Sequence, residues 1–248
     1  MHEICPQNGF ILINTAQKPQ YGAFKSMREG QIDLVGLCPF LSTLALGNGS
    51  AAFVALKQPY LFNHGSGLNS SSSMASTLGL SPDGQVKELA SEALSIQWAS
   101  SLLQDVYDFV ASYLQSGGVT QTPPMTIPQF RFIKSGLAIT NVSGAATREK
   151  EVYLVEELIQ SDGPWRKYIN NNTSYPCSFS DDENCHRSQF LSFCQHVQYW
   201  RTGCLVFTSD FQGESHPNYL INVYQQSCVG GDTLLTDPQI ITHPCASS

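Results

Sequence analysis

Charge is scarce in this chain. Only 13% of its residues are Asp, Glu, Lys or Arg, and acids outnumber bases 20 to 13, for a net charge of -7. No run of lysine and arginine occurs, and without one the chain lacks the usual means of gripping a nucleic-acid backbone. CxxC pairs are also missing. The eight cysteines, at 5, 38, 177, 185, 194, 204, 228 and 245, match neither a disulfide framework nor a zinc ribbon. No apolar stretch is long enough to span a bilayer. The first residues, with His2 and Glu3 before a short apolar patch, lack the pattern of a signal peptide. These absences lead us to expect a cytoplasmic protein with reduced thiols, with neither nucleic acid nor membrane as a partner.

What is present suffices for a core. Hydrophobic residues make up 42% of 248, enough for one large domain or two lobes. The first third reads as short strands at 9–15, 31–37 and 52–57, divided by Gly, Pro and Asn, with a Ser/Gly-rich loop at 65–77. Ser81-Pro82-Asp83 then starts a helix. Apolar residues recur at helical spacing from Leu89 through Ala93, Ile96, Leu103 and Val106 to Val110, and Gly117-Gly118 stops it. Pro123, Pro124 and Pro128 mark a linker before strands at 129–133 and 137–142. An apolar run at 151–160 carries two adjacent acids, Glu156 and Glu157. A second helix is expected over 187–201 and a strand over 205–209.

Five constellations could carry chemistry. Gly22-Ala23-Phe24-Lys25 places a glycine where a backbone can approach a phosphate, although an ordinary turn has the same composition. Lys57 closes an apolar strand, and Glu92 on the following helix could hold it, an arrangement that fixes ATP phosphates in kinases. Glu156-Glu157-Leu158 reads either as a buried strand or as a connector whose backbone bonds an adenine edge. Lys167 and Asn171 offer a point charge and an amide in what could equally be a polar turn. Finally, Ser209-Asp210-Phe211-Gln212-Gly213 and Leu235-Thr236-Asp237-Pro238 put carboxylates at the ends of apolar segments. Asp210 could take a proton from an attacking hydroxyl. Gln212 and Asp237 supply hard oxygens suited to Mg²⁺.

In this order the motifs resemble the alpha-kinase family of atypical protein kinases, most of all the alpha-kinase-type domains of mushroom-forming fungi. The resemblance rests on GAFK at 22–25, VALKQPY at 54–60, YLVEELI at 153–159, GPWRKYINNN at 163–172, FLSFCQHVQYW at 190–200, SDFQG at 209–213 and LLTDPQI at 234–240.

The resemblance implies an α+β, two-lobed protein-kinase-like fold. Residues 1–155 would form a β-rich N-lobe with the phosphate loop, the ATP lysine and the long helix. Residues 156–248 would form the hinge and a smaller mixed C-lobe. It implies serine/threonine protein kinase activity with ATP and Mg²⁺, acting on a protein substrate. Its alternative is a degenerate scaffold that binds nucleotide or protein without turnover. By residue, it implies ATP binding by Gly22, Ala23, Phe24, Lys25, Lys57, Glu92, Glu156, Glu157, Leu158, Lys167 and Asn171. Asp210 becomes the catalytic aspartate, and Gln212 and Asp237, with Thr236 beside them, the magnesium ligands. Lys57 and Asp210 would face one cleft. His196 matches the first zinc-binding histidine of such domains, but the His-x-Cys-x-x-x-Cys segment that completes their metal site is missing. His243 and Cys245 are spaced otherwise, so zinc is not expected. Residues 214–231 form an insert between the two acidic motifs, expected to be a surface excursion or added hairpin that returns Asp237 beside Gln212.

Overall fold

The computed structural model describes residues 9–13, 16–22, 25–34, 51–62, 77–116, 127–141, 150–159, 164–171, 173–215 and 233–242. The chain divides into two compact units, one of 1–93 with 134–158 and the other of 94–133 with 159–248. The units interleave along the sequence.

The first unit is built on an antiparallel sheet. Its strands are β1 (Gly9–Ile13), β2 (Gln20–Tyr21), β3 (Lys25–Leu34), β4 (Ala51–Phe62), β5 (Thr77–Gly79), β7 (Ser135–Asn141) and β8 (Lys150–Glu157). The order is β1-β3-β4-β8-β7, with β2 added to β3 and β5 to β4. Of the expected strand at 31–37, residues 31–34 are the end of β3, and 35–37 lie outside the described residues. The polar residues of the first half of β3 conceal it in the sequence, but β2 and β4 supply their backbone partners.

Strand alternation sorts the side chains of this sheet onto two faces. Tyr153 and Val155 of β8 join Ile32, Val54 and Leu56 in one apolar cluster. Val152 and Leu154, from the same strand, join Leu89 with Val86 and Ala93 in another. The latter residues come from helix α1 (Pro82–Gln115). β8 is therefore covered on both faces, which explains its unbroken apolar run. Helix α1 starts where expected. The Ser81 hydroxyl accepts from the Gly84 N–H at 3.3 Å, and Pro82 sits at the first helical position, where its missing N–H costs nothing.

The second unit holds the remainder of α1, helix α2 (Asp182–Arg201), and short strands β6 (Phe130–Phe132), β9 (Arg166–Lys167), β10 (Val206–Ser209), β11 (Gln212–Ser215), β12 (Thr233–Thr236) and β13 (Gln239–Thr242). α2 begins five residues earlier than expected. Asp181 caps it by accepting the Asn184 N–H at 2.8 Å, and Asp182 and Glu183 complement the helix dipole. The strands form a sheet of order β6-β12-β11-β9 and a separate β10-β13 pair. Ile96, Ala99, Leu103 and Val106 of α1 pack with Phe190, Leu191, Cys194 and Val197 of α2 and with Phe130, Tyr168, Phe211 and Leu235. The fold class is α+β. Among the described residues, no helix is long and apolar enough to cross a membrane.

Candidate active site

In the first unit, the alternation that builds the core also gathers charge. Lys57 lies opposite Leu154, so it shares the face of Val152, Leu154 and Glu156 that α1 covers. Its Nζ lies 2.9 Å from Glu156 Oε2, with the lysine side chain 13% exposed and the acid 2%. Lys25, two residues before the cross-strand partner of Lys57, is on the same face, and its ammonium pairs with Glu92 of α1. A Glu92 oxygen lies within 4.8 Å of a Glu156 oxygen. Two lysines and two glutamates thus form one charged cluster. Gly22 makes the turn before β3, where its N–H donates to Lys25 O at 2.8 Å. Glu157 ends β8, and its N–H already donates to Lys134 O at 3.0 Å.

In the second unit, acids stand where strands stop. Lys167 is the cross-strand partner of Gln212, and Gln212 is in turn opposite Thr236. Asp210 precedes this strand and Asp237 follows β12. Lys167 Nζ lies 2.6 Å from Asp210 Oδ1. Both acids adopt left-handed backbone, with φ of 58° at Asp210 and 48° at Asp237. Among the described residues only Cys204 shares that conformation without being glycine. Such backbone costs of order 1–3 kcal/mol and concentrates at functional sites. The Thr236 hydroxyl is buried with no hydrogen-bond partner among the described residues. Gln212, Thr236 and Asp237 are all oxygen donors, a set that fits a hard cation such as Mg²⁺. Ser209 Oγ donates to Asn170 O at 3.1 Å and ties the acidic turn to the segment after Lys167. Asn171 is exposed on a turn.

Gly213 is required by packing. A Cβ there would lie 1.8 Å from Leu234 O, a backbone atom that cannot give way. Gly22 differs, since a Cβ there would meet Lys25 O at an ordinary 3.5 Å.

The hairpin of β11 and β12 does bring Thr236 opposite Gln212, with Asp237 next in the chain. The segment between the two motifs does not depart from the sheet at 214, however. Glu214 and Ser215 continue β11 and pair with Leu234 and Thr233, and the remainder, 216–232, lies outside the described residues. Glu92, expected beside Lys57, pairs with Lys25, and Lys57 finds an acid on its own sheet in Glu156. Ala23 and Phe24 lie outside the described residues, as do His243 and Cys245. His196 is exposed on α2, while Cys194, two positions away and so on another side of the helix, is buried, and burial pushes its thiol far up. Sequence reasoning missed Gln195 and Gln198, whose buried amides bond the backbone of Thr208. An apolar-periodic helix with two interior glutamines was the available signal.

Residues 88–245 match the model of the alpha-kinase family. No curated protein matches the chain. Among solved structures, the chain is similar to the alpha-kinase domain of myosin heavy chain kinase A in complex with AMPPCP. The identity is 16% and the TM-score 0.44, over 94% of this chain and 74% of that one. It is also similar to an inactive variant of the same domain in complex with ATP. There the identity is 13% and the TM-score 0.44, over 94% of this chain and 76% of that one.

Proposed function

Because the chain belongs to the alpha-kinase family, we propose that it transfers the γ-phosphoryl group of Mg-ATP to serine or threonine hydroxyls of proteins. The observation that carries this reading is the pair of left-handed acids, Asp210 and Asp237, flanking the Gln212–Thr236 register. A backbone that holds two aspartates in a costly conformation around a hard-oxygen pair is organised for more than folding.

The roles follow from the chemistry. Asp210 orients the attacking hydroxyl and accepts its proton. Lys167, 2.6 Å from Asp210, offers a cation to the terminal phosphate, with the amide of Asn171 nearby in sequence. Gln212 and Asp237 hold Mg²⁺, and the Thr236 hydroxyl, buried and unpartnered among the described residues, is available to the same cation or its water. In the first unit, Lys25 and Lys57 take phosphate oxygens while Glu92 and Glu156 hold the two ammonium groups in place. Gly22 leads into Lys25 at the start of β3, and Glu156-Glu157-Leu158 ends on the adenine contact. Bound Mg-ATP supplies the transferable group and the cation that offsets its charge; positioning and electrostatics are the work of the protein. The net charge of -7 favours basic protein substrates. The reading places the chain in the cytoplasm.

The test is transfer of labelled phosphate from Mg-ATP to mixed histones, with recovery of phosphoserine or phosphothreonine. Transfer that disappears in Asp210→Ala, with ATP affinity retained by calorimetry, is the expected result. ATP binding without any transfer by the parent protein would favour the scaffold instead.

A further inference from the structure

Two glutamines of α2 hold β10, the strand immediately before Asp210. Gln195 Nε2 donates to Thr208 O at 2.8 Å, and Gln198 Oε1 accepts from Thr208 N at 2.8 Å. Both backbone groups of one residue are therefore taken by side chains of one helix. All three residues are buried, at 3%, 0% and 0% exposure. Among the described residues β10 pairs with β13 alone, so no described strand meets its other edge. The two amides occupy the place of that strand at one residue, where a buried N–H and C=O would otherwise go unmet.

The arrangement is chemically unforced. Gln195 Oε1, Gln198 Nε2 and Thr208 Oγ1 are buried without partners among the described residues, while Leu191, Cys194 and Val197 on the same helix are apolar. Leaving polar atoms buried and unbonded is unfavourable. The compensation is control of phase. A strand slipped by one residue turns every side chain to the opposite face. Thr208, gripped in both directions, stands two residues before Asp210. Between them Ser209 is tied to Asn170, and Asp210 leaves the strand at φ 58° toward Lys167.

We infer that Gln195 and Gln198 are positioning residues for Asp210. Their amides fix the end of β10 so that the carboxylate is presented in one orientation. This rests on the reading of Asp210 as the catalytic base.

Gln198→Met keeps the length of the side chain and removes the acceptor. With Mg-ATP and mixed histones, kcat should fall about 10-fold to 100-fold, the penalty of displacing a reacting group by roughly an ångström. KM and calorimetric affinity for ATP should stay within about twofold of the parent, since ATP is not held by β10. Gln198→Glu, which keeps an oxygen for the Thr208 N–H, should recover most of the lost rate. A folded Gln198→Met with parental kcat overturns the inference, as does a loss shared equally by kcat and ATP affinity. Should that variant not fold, Gln195→Met, which removes only the donor to Thr208 O, is judged by the same split. A parent protein without transfer overturns the kinase reading and this inference with it, whereas an active parent with an equally active variant overturns this inference alone.

Discussion

Lys25, Lys57 and Glu156 of the first unit stand on long regular strands, whereas the acids of the second unit's site, Asp210 and Asp237, stand where short strands end. Lys25, Lys57 and Glu156 share a face because strand alternation puts them there, and each lysine is matched by an acid within reach. Asp210 and Asp237 are placed instead by left-handed backbone, a cross-strand register and a glycine that admits no side chain. The first arrangement follows from ordinary sheet geometry. The second needs several local conditions to hold together, and so is the easier one to break.

The largest effect should come from the acid itself. Asp210→Ala is expected to lower kcat by about 10²–10⁴-fold, the usual contribution of a positioned base, with ATP affinity unchanged by calorimetry. A matched fall in affinity would move Asp210 from chemistry to nucleotide binding. Next comes Gly213→Ala. Its Cβ would collide with Leu234 O at 1.8 Å, so β11 and β12 must separate. We expect a loss of at least about 3 kcal/mol in chemical denaturation, at the upper end of overpacking penalties. Gly22→Ala, whose Cβ meets only a contact of 3.5 Å, should change stability by less than about 1 kcal/mol, the scale of ordinary glycine replacements in permissive backbone. Equal costs at the two glycines would erase the contrast between the units.

The two units also differ in how far the sequence disclosed them. Helix α1 was legible because Ser81-Pro82 is a local start signal and its apolar spacing persists over many turns. The interior strand β8 was legible as an apolar run, since both its faces are covered. The polar half of β3 was not, because backbone pairing with β2 and β4 decides it and no side-chain pattern records that. In the charged cluster, the residue types were legible and the partners were not: Lys57 meets Glu156 through a sheet register that no sequence spacing encodes. Around Asp210 the motif was legible, but the strain at φ 58° and the glutamine grip on Thr208 arise only once α2 and β10 pack together.

A smaller effect should follow from Lys57→Ala. It withdraws a cation 2.9 Å from an acid that is 2% exposed. We expect weaker Mg-ATP binding together with a stability loss of ~1–3 kcal/mol, less than for a fully buried pair because the lysine retains some access to water. Adding Glu156→Gln should return part of the stability and none of the ATP affinity. Unchanged ATP affinity in the single variant would leave Lys57 a purely structural partner of Glu156.

The smallest effect lies outside both sites and tests whether an exposed tie contributes to the second unit. Arg201, at the end of α2, donates to both carboxylate oxygens of Asp105 on α1, at 2.6 and 2.7 Å, and its guanidinium lies 5.7 Å from the Phe109 ring centroid. The hydrogen bonds from Arg201, opposed by partial burial, hold Asp105 below its ordinary value of 3.8. The folded state therefore favours the ionised acid. Its contribution to stability is complete above the unfolded value and is lost as pH falls through the lower folded one. Arg201 is raised by the same bonds from an already high value, so it stays charged throughout and adds no slope in acid. The stability gap between parent and Arg201→Ala should thus be flat above about pH 5 and narrow below it. With side chains 38% and 37% exposed, the gap should also shrink in concentrated salt. A gap that persists unchanged in strong acid would assign the contribution of Arg201 to its stacking on Phe109, with Asp105 only a bystander.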